Sequence, residues 1–235
     1  MHKLQKSIHE GYRNSIGWKG IIFTAWIGTP IHEIGHIFFA FIFRHKIHRV
    51  NFFQPNKKTG SLGHVDHSYN KLSIYQQIGN FFVGSAPMIF GSILLMTMVY
   101  FLIPGGKIIY QNLSMTDGSI TALFSSIEET LLTLFSKNNL KAWNFWLFLY
   151  ISFCISAHIA PSRQDRKGMW KGFIWIVILI LIINIISYFA NIDSSKYLAR
   201  ATGYMGILTA VFVYTLLISF LHLVAVKILF YPFKK

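Results

Sequence analysis

Five long apolar stretches constrain the fold of this chain of 235 residues more than any other feature. A bilayer core is crossed by about 20 consecutive apolar residues in a helix, and each stretch approaches or exceeds that length. The stretches are Trp18 to Phe43, about Gly79 to Ile103, about Ala142 to Ala160, Gly172 to Ala190, and a part of Gly203 to Phe230. The sequence therefore predicts an all-α polytopic membrane protein of about five transmembrane helices.

Composition supports this class and argues against others. Hydrophobic residues make up 53% of the chain and charged residues only 13%, whereas about a quarter of a soluble domain is charged. The single cysteine excludes a disulfide scaffold. The net charge of +14 comes from basic residues between the apolar stretches, where they face anionic lipid headgroups. We therefore expect the lipid bilayer as a partner and no nucleic acid.

Two segments between the apolar stretches have structure of their own. Ile47 to Gln54 and Ser61 to Asp66 flank a turn-rich segment, which predicts a small β-hairpin after the first span. Between the second and third spans, apolar residues recur at helical spacing from Ile120 to Phe135. They predict an amphipathic helix that lies in the membrane interface or packs over the helix bundle. We expect one membrane domain over residues 1–235.

The first span contains the motif His32-Glu33-Ile34-Gly35-His36, an H-E-x-x-H pattern. Residues four apart share one face of a helix, so His32 and His36 can bind the same Zn²⁺. Glu33 is near enough on the helix to take a proton from a water molecule that the ion activates. Polar residues inside an apolar span are costly unless they face a polar interior, which favours a functional site over a packing cluster.

A catalytic zinc usually has three protein ligands, so one more is expected. We choose Asp165, which follows the third span and so lies on the same membrane side as the motif. His158 is a second candidate, as a ligand, a partner of a ligand or an oxyanion donor. Other candidates are weaker. His64, Asp66 and His67 lie in the hairpin and are expected to be solvated, and Glu128 and Glu129 are expected across the membrane. His45 and His48 are expected to be interfacial charges.

Together these features resemble the site-2 protease family of intramembrane zinc metalloproteases. The resemblance covers roughly residues 18–170: the motif in an early span, a hairpin, a glycine-rich second span and a Pro-then-Asp motif with Pro161 and Asp165. It implies that His32, His36 and Asp165 bind zinc, that Glu33 is catalytic, and that a transmembrane or membrane-associated peptide is cleaved. The chain would be a divergent, compact member without a PDZ-type domain, with residues 18–170 as the metalloprotease core and 171–235 as accessory spans four and five.

Charge distribution and resemblance together predict an orientation. With the N-terminus outside and the hairpin in the cytoplasm, the inside segments hold 13 Lys and Arg residues and the outside segments 9. The positive-inside rule favours this arrangement. We expect a bacterial cell membrane with the active site towards the cytoplasmic side. Two alternatives stay open: a non-catalytic zinc-binding sensor or partner subunit, and a metal transporter, for which the later spans offer few polar ligands.

Overall fold

The computed structural model describes residues 1–114, 120–192 and 195–230. In this part of the chain, helices predominate and two strands form one antiparallel sheet. The elements in chain order are α1 (His2–Ser15), α2 (Trp18–Ile42), β1 (Lys46–Asn51), β2 (His64–Ser68), α3 (Ile74–Leu102), α4 (Gly106–Ser114), α5 (Ile120–Leu134), α6 (Lys137–Lys141), α7 (Trp143–Ser156), α8 (Arg163–Phe189) and α9 (Ser195–Phe230).

Three helices are long and apolar enough to cross a bilayer, which supports the predicted membrane protein. They are α3, α8 and the Leu208–Phe230 part of α9. The other two predicted spans do not reach this standard among the described residues. Helix α7 has only 14 residues, about 21 Å at 1.5 Å per residue, against a bilayer core of about 30 Å. Helix α2 has 25 residues, but the polar side chains of its motif lower its hydropathy.

Helix α8, which corresponds to the fourth predicted span, begins much earlier than its apolar stretch predicts. The expected span started at Gly172, whereas α8 starts at Arg163. Ser162 caps the helix: its hydroxyl accepts from the Asp165 backbone N–H at 3.2 Å, and Asp165 accepts from the Ser162 N–H at 2.7 Å. This capping box begins the helix before the apolar residues do. Asp165 therefore lies in the first turn of α8, not in a tail of the third span, and α7 ends at Ser156 instead of near Ala160.

Helix α1 was not predicted, because its many polar residues hide a short apolar face. Ile8 and Tyr12, four residues apart, are buried, as expected for one face of an amphipathic helix. They pack with Ile21 of α2, with Ala157 just after α7, and with Val226 of α9. The N-terminal helix thus belongs to the bundle.

The predicted hairpin is present as β1 and β2, which pair antiparallel with Asn51 opposite His64 and Ile47 opposite His67. The register shifts between Ile47 and Arg49, as in a β-bulge. The return strand begins at His64, three residues later than the pattern predicted.

The predicted amphipathic segment is helical as α5, but its buried face differs from the predicted apolar one. Ser126, Thr130 and Leu134 are buried at a spacing of four, whereas Phe124, which the prediction placed on the apolar face, is 68% exposed. The side chains of Ile120 and Leu123, which the prediction also placed on the apolar face, lie outside the described residues. Helix α5 packs mainly on α4 and leaves apolar side chains outward.

The main core joins α3, α7 and α9. Phe145, Phe148 and Ile155 of α7 are fully buried, together with Leu95 of α3 and Tyr214 of α9. Helix α3 also packs along α2 and α8. This position places α3 between the helix that carries the motif and the helix that carries Asp165.

Candidate metal centre

The site is built on α2, whose helical spacing brings both motif histidines to one face. The two imidazole Nε2 atoms of His32 and His36 are 3.1 Å apart. His36 is 6% exposed and Glu33 is 5% exposed. The pairing follows directly from the i, i+4 periodicity of a helix.

The proton on each ring is fixed by a backbone carbonyl. His32 Nδ1 lies 2.6 Å from the carbonyl oxygen of His158, and His36 Nδ1 lies 2.9 Å from that of Val83. A carbonyl oxygen only accepts, so both Nδ1 atoms donate and, in neutral rings, both Nε2 atoms carry lone pairs. Two lone pairs that face each other at 3.1 Å repel unless a cation lies beside them, and this is the arrangement of two metal-ligating histidines.

Asp165 completes the group. Its Oδ1 is 3.6 Å from His36 Nε2 and its Oδ2 is 4.0 Å from His32 Nε2. One ligand atom from each of the three residues lies within 4.8 Å of the others. Two nitrogen ligands of one tetrahedral zinc ion are about 3.3 Å apart, so the donors present fit such an ion. His32, His36 and Asp165 could therefore hold a metal ion.

Asp165 reaches the site because α8 approaches α3 closely at a glycine. A Cβ atom on Gly84 would meet the backbone carbonyl of Asp165 and would lie 2.7 Å from the backbone nitrogen of Met169. Further along α8, a Cβ on Gly172 would likewise meet the backbone of Phe81. Absence of these side chains lets the two backbones pack directly, and the capping box then fixes the carboxylate.

Glu33 lines a cavity of about 450 Å³ together with the three candidate ligands. The wall of this cavity also includes the hairpin from Gly63 to His67, and Lys167 and Lys171 of α8. The cavity leaves space for water beside the candidate metal site. The two lysines, with Asp66 and Asp165, give its wall both signs of charge.

His158 contributes its backbone to the site, and its ring lies elsewhere. The ring Nε2 is 3.0 Å from the Thr24 hydroxyl, and the ring packs against that of His9 at 4.9 Å. His158 is not in the group of potential metal ligands among the described residues. Of the roles considered for it, the geometry matches the partner of a ligand, through the carbonyl that orients His32.

The hairpin histidines have partners of their own. His45 Nε2 donates to the Gln76 carbonyl at 2.9 Å, so its Nδ1 accepts from His67 Nδ1 at 3.2 Å. Burial lowers the pKa of His45. Burial, together with the neighbouring His45 and His36, lowers the pKa of His67 to about 4. The expectation that His45 is an interfacial charge is wrong, since it is buried with 6% exposure.

The other candidate residues do not belong to the group formed by His32, His36 and Asp165. His64 Nε2 is 3.0 Å from Asn51 Nδ2 and 3.9 Å from Asp66. The Asp66 side chain is 59% exposed, as expected for a solvated residue. Glu128 and Glu129 are exposed on α5. Among the described residues, only the three predicted ligands form a group that could hold a metal.

Sequence reasoning did not find the groups that contact the candidate ligands or the segment around His158. These are Gln5 and His9 of α1, Thr24, the carbonyl of Val83 and the close-packing Gly84. The period-four apolar face of α1 is the one signal that could have indicated its burial. Backbone carbonyls have no signature in a sequence.

Comparison with known proteins adds no relative. The chain matches no protein-family model, no curated protein and no solved structure. Its chemistry has therefore to be argued from the site itself.

Proposed function

We propose that this protein is a zinc metalloendopeptidase that hydrolyses peptide bonds of membrane-embedded or membrane-proximal substrates. One observation carries the proposal: the lone pairs of His32 and His36 converge with the Asp165 carboxylate, and Glu33 lines the same cavity. Two imidazoles and one carboxylate are a usual ligand set of catalytic zinc, which keeps a further position open. The same residues carry the resemblance to the site-2 protease family, and we assign the chain to that kind of enzyme.

Within this proposal, each residue has a defined task. Bound zinc would supply Lewis acidity towards water and towards the carbonyl of the scissile peptide. Glu33 takes a proton from the attacking water as the new C–O bond forms, and then gives that proton to the nitrogen of the leaving amine, so that the C–N bond breaks in the second step. His158 and Val83 hold the two imidazoles in the tautomer that exposes Nε2.

The location of the site supports the proposed substrate class. The motif lies in an apolar helix, and α3 and α8 beside it are long and apolar enough to span a membrane. A cavity of about 450 Å³ reaches from the motif to the hairpin, which gives water a polar route to a site that lipid surrounds. Regulated intramembrane proteolysis or the processing of membrane peptides is the resulting role.

We further propose that α2 and α7 supply two additional spans, which gives five, in a bacterial cell membrane with the site towards the cytoplasm. Helix α1 bonds Ala160 at the end assigned to the cytoplasm, so residues 1–19 do not count as an outside segment. The segments assigned to the cytoplasm hold 13 Lys and Arg residues, against 5 in the outside segments 105–142 and 191–202, which supports the orientation. In a Cys154→Ala background, Lys57→Cys is expected to resist an impermeant thiol reagent in intact cells, and Lys137→Cys to react. External labelling at position 57 would reverse the orientation.

The proposed activity is tested by Glu33→Gln. The amide is nearly isosteric and leaves both histidines in place, but it cannot accept the proton from water. A time course with a transmembrane peptide, at equal zinc occupancy, should show a rate about 10²–10⁴-fold below that of the wild type. Glu129→Gln, an exposed acid on α5, is the matched control and should cleave normally.

Equal rates for Glu33→Gln and the wild type would overturn the proposal. Retention of zinc without cleavage in the wild type would leave the zinc-binding sensor or partner subunit as the better account.

A further inference from the structure

The connector between α7 and α8 carries two parts of the candidate metal centre within a few residues. The carbonyl of His158 orients His32 at 2.6 Å, and Ser162 caps the helix turn that holds Asp165. The connector, residues 157–162, is not helical. Its two ends are bonded to the flanking helices: the N–H groups of Ala157 and His158 donate to carbonyls of α7, and Arg166 of α8 donates to the Pro161 carbonyl. The Ala157 carbonyl and the Ala160 N–H, on either side of His158, are bonded by a different element.

Helix α1 binds this connector at two backbone groups. The His9 Nε2–H donates to the carbonyl of Ala157 at 3.1 Å, and Gln5 Oε1 accepts from the N–H of Ala160 at 3.1 Å. The two bonds lie on either side of His158, the residue whose carbonyl bonds His32. Burial lowers the pKa of His9 to about 4, so at neutral pH its ring is a neutral, single N–H donor.

The helix that makes these bonds is itself anchored. Ile8 and Tyr12 are buried, and the Tyr12 hydroxyl is 2.9 Å from Nε2 of His222 in α9. A Cβ atom on Gly11 would lie 2.7 Å from Val226 of the same helix, so α1 packs closely on α9. An anchored helix can fix the connector, because its own position is set elsewhere in the bundle.

We propose that Gln5 and His9 are positioning residues of the metal centre: they hold residues 157–160 so that the His158 carbonyl keeps His32 in its metal-binding orientation. This inference rests on the proposed zinc site and adds the N-terminal helix to it. Neither residue touches the metal; both act through the connector and then through His32.

The test measures zinc affinity by competition with a chelator in the full-length protein. His9→Ala and Gln5→Ala should each weaken zinc binding about 10–100-fold, the usual cost of removing a partner of a ligand. His9→Gln keeps a side-chain N–H donor and Gln5→Glu keeps an acceptor, so each should recover affinity relative to its alanine variant. Lys6→Ala and Glu10→Ala, on the exposed face of α1, are the controls and should bind zinc as the wild type does.

A second measurement separates positioning from folding. Amide hydrogen exchange of the metal-free protein should be faster in residues 157–162 of Gln5→Ala and His9→Ala, and unchanged in α3. The visible spectrum of the cobalt-loaded protein should shift in His9→Ala and return in His9→Gln.

Two results would overturn the inference. One is wild-type zinc affinity in the folded alanine variants; the other is equal loss in His9→Ala and His9→Gln together with faster exchange throughout the bundle. Failure of the proposed function looks different: the wild type would then bind no zinc, or would bind it without any need for Glu33 in cleavage.

Discussion

The two parts of α8, before and after Gly172, lie in different surroundings. Its first turns carry Asp165, whose side chain is only 18% exposed, and pack against α3 at Gly84 and Gly172. Beyond Gly172 the helix is almost entirely apolar, yet residues such as Ile180 and Phe189 are 52% and 79% exposed. In the 18-residue apolar segment of α8, only 6% of the residues are buried inside the protein, whereas 56% are buried in the corresponding segment of α3.

The difference shows that one helix can combine an apolar part suited to a bilayer with a part that carries a candidate metal ligand. Apolar side chains that face outward suit a bilayer, where they need no protein partner. In α8, the close backbone contacts with α3 and the capping box lie in the part that carries the Asp165 carboxylate. The sequence difference is visible as well: glycines and charges before Gly172, and isoleucines, leucines and valines after it. We therefore expect substitutions in the first part to affect the metal, and those in the second to affect little.

The largest expected effect is loss of a ligand in the first part of α8. Asp165→Ala should weaken zinc binding by more than about 100-fold, since removal of an outer partner alone costs about 10–100-fold. His36→Ala should do the same. His67→Ala, a cavity residue outside the group of ligands, is the control and should keep its zinc. Metal analysis of the purified variants measures this. Full zinc in Asp165→Ala would mean that Asp165 is not the third ligand and that His158 or a hairpin residue supplies it.

The next effect comes from the contact that brings α8 to the site. Gly84→Val would force α8 away, because its side chain would meet the backbone of Asp165 and of Met169. We expect about 10–100-fold weaker zinc binding and a loss of about 1–3 kcal/mol in the free energy of unfolding. Ile93→Val on the same helix, at a position 52% exposed, should change neither. Chelator competition and unfolding in detergent measure both quantities; wild-type zinc affinity in Gly84→Val would contradict the close-contact account.

Metal removal should distinguish the two parts of α8 without any substitution. A ligand stabilises the state that binds it, so a chelator should accelerate amide exchange around residues 162–168. Residues 176–189 should exchange at the same rate with and without the ion, because they have no contact with the site. Exchange that rises equally along the whole helix would show that α8 responds as one unit.

The smallest effect is expected in the second part of α8. Ile180→Ala removes an outward side chain, so zinc affinity should stay unchanged and the free energy of unfolding should change by no more than about 0.5 kcal/mol. Thermal unfolding in detergent, with zinc analysis of the same sample, provides the measurement. Marked loss of zinc would mean that the apolar part supports the site after all.

The local parts of this site could be predicted from sequence, because short spacings determine them. The i, i+4 periodicity paired His32 with His36, and the turn residues from Pro55 to Gly60 predicted the hairpin. Asp165 was predicted as the third ligand, but it was placed in the wrong element. It lies in the first turn of α8, because the Ser162 cap begins this helix within a polar stretch of sequence.

The remaining parts depend on tertiary contacts. Nothing in the sequence shows that the carbonyls of His158 and Val83 face the two imidazoles, since every residue has a carbonyl. The burial of α1 depends on α9, which is more than 180 residues away in the chain. The partnership of His45 with His67 likewise appears only when the hairpin folds over α3.

The central claim is that His32, His36 and Asp165 bind one zinc ion, and an anomalous-difference map of zinc-loaded crystals tests it most directly. The account predicts one peak, with His32 Nε2, His36 Nε2 and an oxygen of Asp165 each about 2.0–2.2 Å away. A peak coordinated by His45 and His67 instead, or no peak at these three residues in protein that retains zinc, would contradict it.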